Sequence, residues 1–412
     1  MKERVVVTGL GSVSPIGNDI DIIWKNVKDG KNGIGEITRF NTENHITKLA
    51  AEVKDLDIEN YISRQEARKL DLFVKYAIIA SKKAFKDANI KDGDIDKDRL
   101  GIIIGSGIGG IDTIANNTNK LEKSGPDRVS PHFIPMSLVN LAAGNVAIAL
   151  GAKGICNSVV TACAAGTDSI GVAFREIADK RQDIILCGGT EAAITPLGVA
   201  GFAVMKATTT SVDKNRASIP FDKKRSGFVM GEGSGIIVLE SLSSAKKRGA
   251  KIYAEIVGYG VSCDAYHITA PMPDGSGASR AMQLAILDAN IPKELIDYIN
   301  AHGTSTPLND SIETNAVKNT FGEHAYKLSM SSTKSMTGHL LGGSGGIEAI
   351  ITIKALEDGF VPATIGYKEK DPDCDLNITP NEGKNKNLKH AMTNSFGFGG
   401  HNSSLIFKKW EE

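Results

Sequence analysis

The sequence predicts an α/β fold built from two similar halves. Short β-branched runs alternate with longer segments of helical spacing over the 412 residues, as expected of strands connected by helices. Each half repeats one order: an opening strand, a long helix, a strand, and a junction of small residues that leads into another helix. We therefore expect a duplicated unit, with one half at residues 1–250 and the other at 251–412.

In the first half, apolar residues on one face predict that the segment from Gln65 to Ala88 contains a long amphipathic helix. A strand at 158–162 is expected to run through Cys163 directly into an apolar helix. Residues 188–191 and 196–202 are expected to form loops. The other predicted strands are at 5–8, 101–105, 183–187 and 234–240, and the other helices at 20–28, 140–150 and 241–248.

In the second half, two strands run into polar, glycine-containing segments with one histidine each. A strand at 297–300 leads to His302, and a strand at 328–331 leads to His339. The other predicted elements are strands at 253–258, 390–394 and 405–407 and helices at 277–289 and 346–356.

The composition argues against several classes of protein. The 48 basic and 48 acidic side chains balance, which disfavours a general nucleic-acid binder or a membrane-surface binder. Five cysteines without a C-x-x-C pair argue against a disulfide framework or structural zinc and favour a reducing compartment. No apolar run approaches ~20 residues, and the chain enters a strand at once, so we expect neither a membrane span nor a signal peptide. The sequence predicts a cytoplasmic protein.

Cys163 is the candidate nucleophile. A cysteine at a helix N-terminus has its thiolate stabilised by unpaired amides and the helix dipole, which lowers the thiol pKa. Most free cysteines are nonetheless small buried hydrophobes, so this reading requires further groups. The further groups that we expect beside Cys163 are His302, His339 and Lys334. Each follows a predicted strand, and strand ends on one edge of a sheet converge on a common crevice. The amides of Cys163 and Phe398 could hold an oxyanion, as acyl transfer needs.

Other readings of the same residues remain open. Gly105-Ser-Gly107-Ile-Gly-Gly110 with Glu122 downstream matches a dinucleotide fingerprint, but it lies too far into the chain. Cysteine with two histidines could bind zinc, although no fourth ligand is placed to complete the site. A Cys-His hydrolase shares the nucleophile and the base, but it does not explain two histidines.

Five motifs, in this order, closely resemble the 3-oxoacyl-[acyl-carrier-protein] synthases, specifically the type II branch of fatty-acid synthesis. The likeness covers essentially the whole chain, from Val5 to Phe407. The motifs are Thr161-Ala-Cys163, Pro220-Phe-Asp222 with Gly227-Phe-Val-Met-Gly-Glu-Gly233, Ala301-His302-Gly-Thr-Ser-Thr-Pro307, Ser332-Thr-Lys334-Ser-Met-Thr-Gly-His339 and Asn394-Ser-Phe-Gly-Phe398-Gly-Gly400.

The resemblance implies a thiolase-like fold, in which two βαβαβαββ halves form five αβαβα layers. It implies a homodimer that pairs the strand before the nucleophile, an acyl-carrier-protein partner, and no cofactor beyond the carrier's phosphopantetheine. The resemblance places Ile108, Phe133, Phe202 and Phe398 at the acyl pocket and gate, and Thr269, Thr304 and Thr306 at the pantetheine arm. It gives Glu348 a role in support of Lys334, and it places Arg68 and Lys69 on the surface that meets the carrier protein. It also implies a structural Na⁺ or K⁺ near Asn300, Glu348 and Asn394.

The implied reaction is a decarboxylative condensation that extends an acyl chain on Cys163 by two carbons. Departures from the family pattern are His401 where threonine is usual, Asn309 in place of a glycine, and Ser226 in place of an acid. Asparagine tolerates a left-handed backbone nearly as well as glycine does. Alternatives are a non-catalytic chain-length partner, which would lack Cys163, a degradative thiolase, which would have a second cysteine, and a polyketide or other specialised ketosynthase.

Overall fold

The computed structural model describes residues 2–91 and 93–411. Ten of the strands form one sheet in the order β10-β9-β13-β14-β8-β1-β7-β6-β4-β5, and the other four form two small two-stranded sheets. The strands are β1 Val5–Val13, β2 Gly35–Glu36, β3 Leu49–Ala50, β4 Leu100–Gly105, β5 Cys156–Asn157, β6 Ile184–Glu191, β7 Gly233–Ser241, β8 Ala254–Cys263, β9 Tyr298–Asn300, β10 Ser329–Ser331, β11 Phe360–Val361, β12 Lys384–Asn385, β13 His390–Gly397 and β14 His401–Lys409.

The sheet is symmetric about its middle, where β1 meets β8 through one short antiparallel contact. Outward from β1, the pairings with β7, β6, β4 and β5 are antiparallel, antiparallel, parallel and parallel. Outward from β8, the pairings with β14, β13, β9 and β10 repeat that order. The predicted duplication is therefore confirmed by strand topology.

The helices form one inner layer and two outer layers. The helices are α1 Ile20–Lys28, α2 Arg64–Ala67, α3 Leu72–Asp87, α4 Ile111–Ser124, α5 Phe133–Ser137, α6 Leu141–Leu150, α7 Ala165–Ala178, α8 Pro196–Val204, α9 Leu242–Lys247, α10 Ser276–Ala289, α11 Pro307–Phe321, α12 Lys334–Thr337 and α13 Ser344–Asp358. No helix among residues 2–91 and 93–411 is long and apolar enough to cross a membrane.

Three hydrophobic clusters fill the spaces between the layers. Between the two halves of the sheet, Ile170 of α7 and Ile350 of α13 share one buried cluster. On the outer face of the first half, α3 and α6 pack on β4 and β6. On the outer face of the second half, α10 and α11 pack on β9, β13 and β14. The order helix, sheet, helix, sheet, helix is the predicted five-layer arrangement.

The long amphipathic helix predicted within Gln65 to Ala88 is confirmed as α3, but it begins only at Leu72, because the helical backbone is interrupted between α2 and α3. Asp71 is the N-cap of α3 and accepts a hydrogen bond from the Phe73 amide. Its carboxylate also accepts from the amide and hydroxyl of Thr113. As an N-cap, Asp71 has an extended backbone with φ −69° and ψ 161°, which cannot continue a preceding helix, so α3 starts afresh after it.

Three further boundary predictions are wrong. Residues 196–202 lie in helix α8, where Thr195 caps the N-terminus and Pro196 occupies the first turn. Residues 188–191 continue strand β6. Residues 158–162 do not form a strand, since β5 ends at Asn157 and a 3₁₀ turn covers Ala162–Ala164. The other predicted strands and helices are confirmed to within a few residues, several of the strands being longer than predicted.

The two outer edges of the sheet differ. At β10, the amide of Met330 donates to the carbonyl of Asn377, so the chain's own 372–380 segment covers that edge. At β5, Cys156 and Asn157 are exposed. Exposed apolar side chains lie beside this open edge, with Ile148 of the adjacent α6 81% exposed and Val160 54% exposed.

Candidate active site

A cavity of about 380 Å³ opens at the junction of the two halves. Its lining includes Cys163 from the first half and His302 and His339 from the second. The structure therefore brings the three predicted reactive side chains together. A mostly apolar cavity with a few convergent polar groups is the usual form of a small-molecule site.

Cys163 lies in a tight turn that leads into α7. The preceding residue, Ala162, has φ 50°, which is uncommon for a residue with a side chain. Leu341 has φ 48° at the matching position of the second half, where another 3₁₀ turn leads into α13. The predicted correspondence of the two junctions is thus visible in the backbone. The two inner helices approach closely because Gly166 has no side chain, since a Cβ there would lie 2.8 Å from the Gly342 carbonyl oxygen.

The prediction of a lowered Cys163 pKa is wrong. Burial raises the pKa of the Cys163 thiol to about 12, and the positive charge of Lys334 only partly opposes this effect. Glu191 raises the pKa further. The resting cysteine is therefore a thiol, and its proton must leave as the sulfur attacks.

His302 follows strand β9 and is held through its backbone. The amides of His302 and Gly303 donate to the two carboxylate oxygens of Glu313 at 2.8 and 2.7 Å. Burial, and then the nearby charges of Lys334 and His339, hold the pKa of His302 well below its usual range. The ring is therefore neutral at physiological pH, and it can donate one N–H while its other nitrogen accepts.

His339 is held by both its backbone and its ring. Its amide donates to the Val229 carbonyl at 2.7 Å, and its carbonyl accepts from the Gly231 amide at 2.8 Å. These bonds explain the extended glycine-rich motif at 227–233. The ring Nδ1 lies 3.0 Å from Ser344 Oγ, and burial holds the pKa of His339 well below its usual range. The His302 and His339 rings meet edge to face, with centroids 5.3 Å apart.

Lys334 does not line the cavity but forms a buried ion pair with Glu348 behind it. The two side chains are 1% and 2% exposed. Burial raises the pKa of Glu348 to about 7, against the opposing charge of Lys334. Lys334 acts on the site at a distance, because its charge lowers the pKa of Cys163, His302 and His339.

The predicted oxyanion donors lie at the tip of the β13–β14 hairpin and at the cysteine turn. Gly397 packs against the cysteine turn, where an added Cβ would lie 3.2 Å from the Cys163 amide nitrogen. The Cys163 and Phe398 amides donate to no backbone or side-chain acceptor within residues 2–91 and 93–411. Gly399 and Gly400 have φ 86° and 73°, so this turn needs glycine at both positions.

The predicted pocket and arm residues divide into two groups. Five line the cavity: Phe202, Phe398, Thr269, Thr304 and Thr306. Ile108 packs behind the cavity in one hydrophobic cluster with Cys163 and Phe202. Phe133 lies half-buried on α5, away from this chain's cavity, so its predicted contact with a partner subunit stays a prediction.

The predicted cation residues lie on both faces of the sheet. Asn300 pairs in register with Thr393, so Asn394 points to the opposite face, where its Nδ2 reaches Glu313 at 3.4 Å. The side chain of Asn394 is therefore not brought together with that of Asn300. Asn300 Oδ1 and Glu348 Oε2 are buried without a hydrogen-bond partner, which fits oxygen ligands of a monovalent cation. No group of three His, Cys, Asp or Glu side chains in the described chain is arranged to hold a metal ion.

The glycine-rich segment at 105–110 does not form a phosphate cradle. The Glu191 carboxylate occupies the amides of Gly107 at 2.7 Å and Ile108 at 3.4 Å, together with the Ser106 hydroxyl. A buried carboxylate in that position repels an anionic ligand and uses the donors that a pyrophosphate would need. The predicted ribose partner Glu122 is exposed on α4.

The remaining predicted residues lie at the surface or beside the cavity. Arg68 and Lys69 are exposed after α2. Asn402 lines the cavity, whereas His401 does not and instead lies against Gly399. Asn309 lies in the first turn of α11 and is not left-handed, so the tolerance of asparagine for that conformation is not used there. The left-handed residue is Ser305, with φ 70°.

Sequence reasoning missed the residues that hold the histidines. Glu313 follows Asp310 by three residues on α11, and Asp310 accepts from the Ser305 and Phe221 amides. This i, i+3 spacing after Pro307 predicts two carboxylates on one helix face, and it could have been recognised. Phe228 and Phe396 pack against His339 and His302, with ring centroids 5.3 and 5.7 Å apart.

Comparison with known proteins identifies the family. Residues 2–245 match the model of the beta-ketoacyl synthase N-terminal domain, and residues 253–368 match that of the C-terminal domain. The chain belongs to the beta-ketoacyl synthase family. It is 52% identical over 411 residues to 3-oxoacyl-[acyl-carrier-protein] synthase 2 of Synechocystis, covering 100% of this chain and 99% of the relative. It is 53% identical over 409 residues to the protein of that name from Staphylococcus aureus, covering 99% of each.

Solved beta-ketoacyl synthases share the fold. A ketosynthase solved with a type II polyketide acyl-carrier protein has a TM-score of 0.91, 34% identity and full coverage of both chains. A beta-ketoacyl synthase from Burkholderia phymatum has a TM-score of 0.92 and 35% identity, covering 99% of this chain and 100% of that one. The predicted thiolase-like fold and the predicted class, a condensing acyltransferase, are confirmed.

Proposed function

We propose that the chain is a 3-oxoacyl-[acyl-carrier-protein] synthase of type II that uses Cys163 as nucleophile and His302 with His339 as donors. The observation that carries this assignment is the single cavity lined by all three side chains. The full-length likeness to relatives that bear this name supports the substrate class. The location proposed is the cytoplasm, in line with five cysteines that are all free.

The first step transfers the acyl chain. Cys163 sulfur attacks the carbonyl carbon of an acyl thioester, the carbon–sulfur bond to the carrier breaks, and the proton of Cys163 ends on the departing carrier sulfur. Negative charge on the carbonyl oxygen would be held by the Cys163 and Phe398 amides. The acyl group on Cys163 then occupies the apolar space around Phe202 and Ile108.

The second step joins two carbons. The malonyl thioester lies beside His302 and His339, and its carboxyl carbon–carbon bond breaks to release CO2. The electron pair moves onto the thioester oxygen, where two neutral imidazole N–H groups can donate to it. The enolate carbon attacks the acyl carbonyl, the bond to Cys163 sulfur breaks, and the released thiolate takes up a proton from solvent. The product is a 3-oxoacyl thioester longer by two carbons.

Two protein partners are proposed from surface features, an acyl-carrier protein and a second copy of the chain. The carrier protein is acidic in this family, and exposed Arg68 and Lys69 offer it positive charge. A second copy of the chain would pair β5 with β5 and bury the apolar side chains beside that edge. The structural monovalent cation would be held by Asn300 and Glu348, where it would neutralise carboxylate charge.

Partial reactions test the roles of the residues. Cys163→Ala should abolish condensation while malonyl-carrier still loses CO2, since decarboxylation uses the second half. Condensation is measured from labelled malonyl-carrier as 3-oxoacyl product, and decarboxylation as released CO2. Full condensation by Cys163→Ala would disprove the nucleophile assignment.

A polyketide or other specialised ketosynthase is the second candidate, because a solved neighbour acts in polyketide synthesis. Acyl-carriers of graded chain length, each supplied with malonyl-carrier, separate the two. One condensation on saturated acyl chains favours fatty-acid elongation, whereas repeated condensation without reduction favours the polyketide assignment.

A further inference from the structure

A buried carboxylate that the proposed mechanism does not use is bonded to the segment before Cys163. Thr161 Oγ1 donates to Asp168 Oδ2 at 2.6 Å. Tyr259 OH donates to Asp168 Oδ1 at 3.0 Å. Asp168 lies in the first turn of α7 and is 6% exposed, while Tyr259 lies on β8. One carboxylate therefore links the nucleophile's helix, the turn before the nucleophile and the second half of the chain.

The turn that Asp168 holds is strained. Ala162 has φ 50°, and a residue with a side chain persists there only where its surroundings hold it. Thr161 is held on two sides, because its hydroxyl donates to Asp168 and its carbonyl accepts from the Ala164 amide at 3.0 Å. Loss of the Asp168 bond would leave Thr161 free to rotate and would let Ala162 relax.

The second half holds Asp168 firmly through Tyr259. The Tyr259 ring lies against Gly171 of α7, where an added Cβ would come within 2.2 Å of a ring carbon. The Tyr259 amide donates to Asp288, which also pairs with Arg175 of α7. The ring therefore cannot shift independently of α7, and its hydroxyl stays aimed at Asp168.

We propose that Asp168, held by Tyr259, is a positioning residue for Cys163. It acts through Thr161, since both of its carboxylate oxygens are taken by hydroxyl donors. It fixes the strained turn so that the sulfur faces the cavity. Its effect on acyl loading rests on the proposed function, whereas its effect on the reactivity of the sulfur does not.

Alkylation of Cys163 by iodoacetamide, followed by peptide mass spectrometry, tests this proposal on the full-length protein. The alkylated cysteine must be identified peptide by peptide, because the exposed Cys156 and Cys263 would react as well. Thr161→Val and Asp168→Ala should each slow alkylation of Cys163 by about tenfold to 100-fold, the usual loss when a reacting group is displaced by an ångström. Thr161→Ser keeps the hydroxyl and should restore the wild-type rate.

Two comparisons make the result specific. The double variant Thr161→Val with Asp168→Ala should be no slower than either single variant, because both remove one interaction. Thr320→Val removes a buried hydroxyl bond in the outer layer and should leave alkylation unchanged. Alkylation of Thr161→Val at the wild-type rate, or additive losses in the double variant, would overturn the proposal.

Partial reactions separate this proposal from the proposed function. In Thr161→Val, acyl transfer to Cys163 should fall with alkylation, while CO2 release from malonyl-carrier should change less than about twofold. An equal fall in both reactions would mean a general structural role and would overturn the proposal. A wild-type protein that neither accepts acyl chains nor releases CO2 would reject the proposed function, and alkylation would still decide the role of Asp168.

Discussion

Removal of one partner of the buried Lys334–Glu348 pair should destabilise the protein far more than removal of both. Neither side chain is more than 2% exposed, and Glu348 Oε2 has no other hydrogen-bond partner. Lys334→Met would leave a buried carboxylate without its ion-pair partner. Breaking such a pair typically costs about 3–5 kcal/mol, whereas replacing both charges by apolar side chains is close to neutral.

Guanidinium unfolding at one fixed protein concentration measures these differences. Lys334→Met and Glu348→Leu should each lower the free energy of unfolding by about 3–5 kcal/mol, and the double variant should recover most of that loss. The control is Lys25→Met, which breaks the exposed pair with Asp29 and should cost less than about 1 kcal/mol. Single variants no less stable than Lys25→Met, or a double variant that loses the sum of both, would refute the reasoning.

The pH dependence of the stability of Lys334→Met gives a second test, because the raised pKa of Glu348 fixes the direction of the change. Burial raises the pKa of Glu348 above its unfolded value of about 4.3, and loss of Lys334 raises it further. A raised carboxyl pKa contributes stability that is fully present below the unfolded pKa and is lost as pH rises through the folded pKa. The stability gap between variant and wild type should therefore narrow as pH falls from the alkaline side toward about 7, and should change little below that, because both folded forms then hold a protonated Glu348. A gap that widens on acidification contradicts this assignment.

His339→Ala should slow CO2 release from malonyl-carrier by about 100-fold or more, since one donor to the developing oxyanion is lost, and unchanged release would reject that role. Gly397→Ala should lower the free energy of unfolding by about 1–3 kcal/mol, because its Cβ would lie 2.6 Å from the Thr161 carbonyl oxygen; an unchanged unfolding curve would contradict this packing. His401→Thr should keep turnover within about tenfold, because His401 does not line the cavity, and a larger loss would show that its ring reaches the reaction.

The periodicity of apolar residues was sufficient to predict most helices and strands, but it did not predict where they begin and end. The start of α3 carried a local signal, since aspartate is a favoured N-cap, but the bond that fixes the Asp71 carboxylate goes to Thr113, 42 residues away. Helix α8 did carry local signals, namely Thr195 as cap and Pro196 in the first turn, but its glycines favoured a loop reading. Short strands such as β5 are set by pairing with β4 rather than by their own residues.

The reactive residues could be recognised from motifs, but their electrostatics could not. Helix position alone predicts a lowered pKa for Cys163, whereas burial raises that pKa to about 12. That burial comes from tertiary packing, since Cys163 shares a hydrophobic cluster with Phe228 and Met230, which are remote from it in sequence. For Glu313, the i, i+3 spacing from Asp310 was visible in the sequence, but its partners, the backbone amides of the His302 loop, were not.

The unequal edges of the sheet limit how far the chain can associate. The 372–380 segment covers β10, and so the ten-stranded sheet of each copy has its unpaired edge at β5 within the described residues. Two copies that join there about a two-fold axis leave no open strand at either end, so growth stops at two. A chain with both edges free could instead add copies indefinitely and form fibres. The segment across Met330 thus keeps the β10 edge from pairing with a further strand, at a position remote from the cavity.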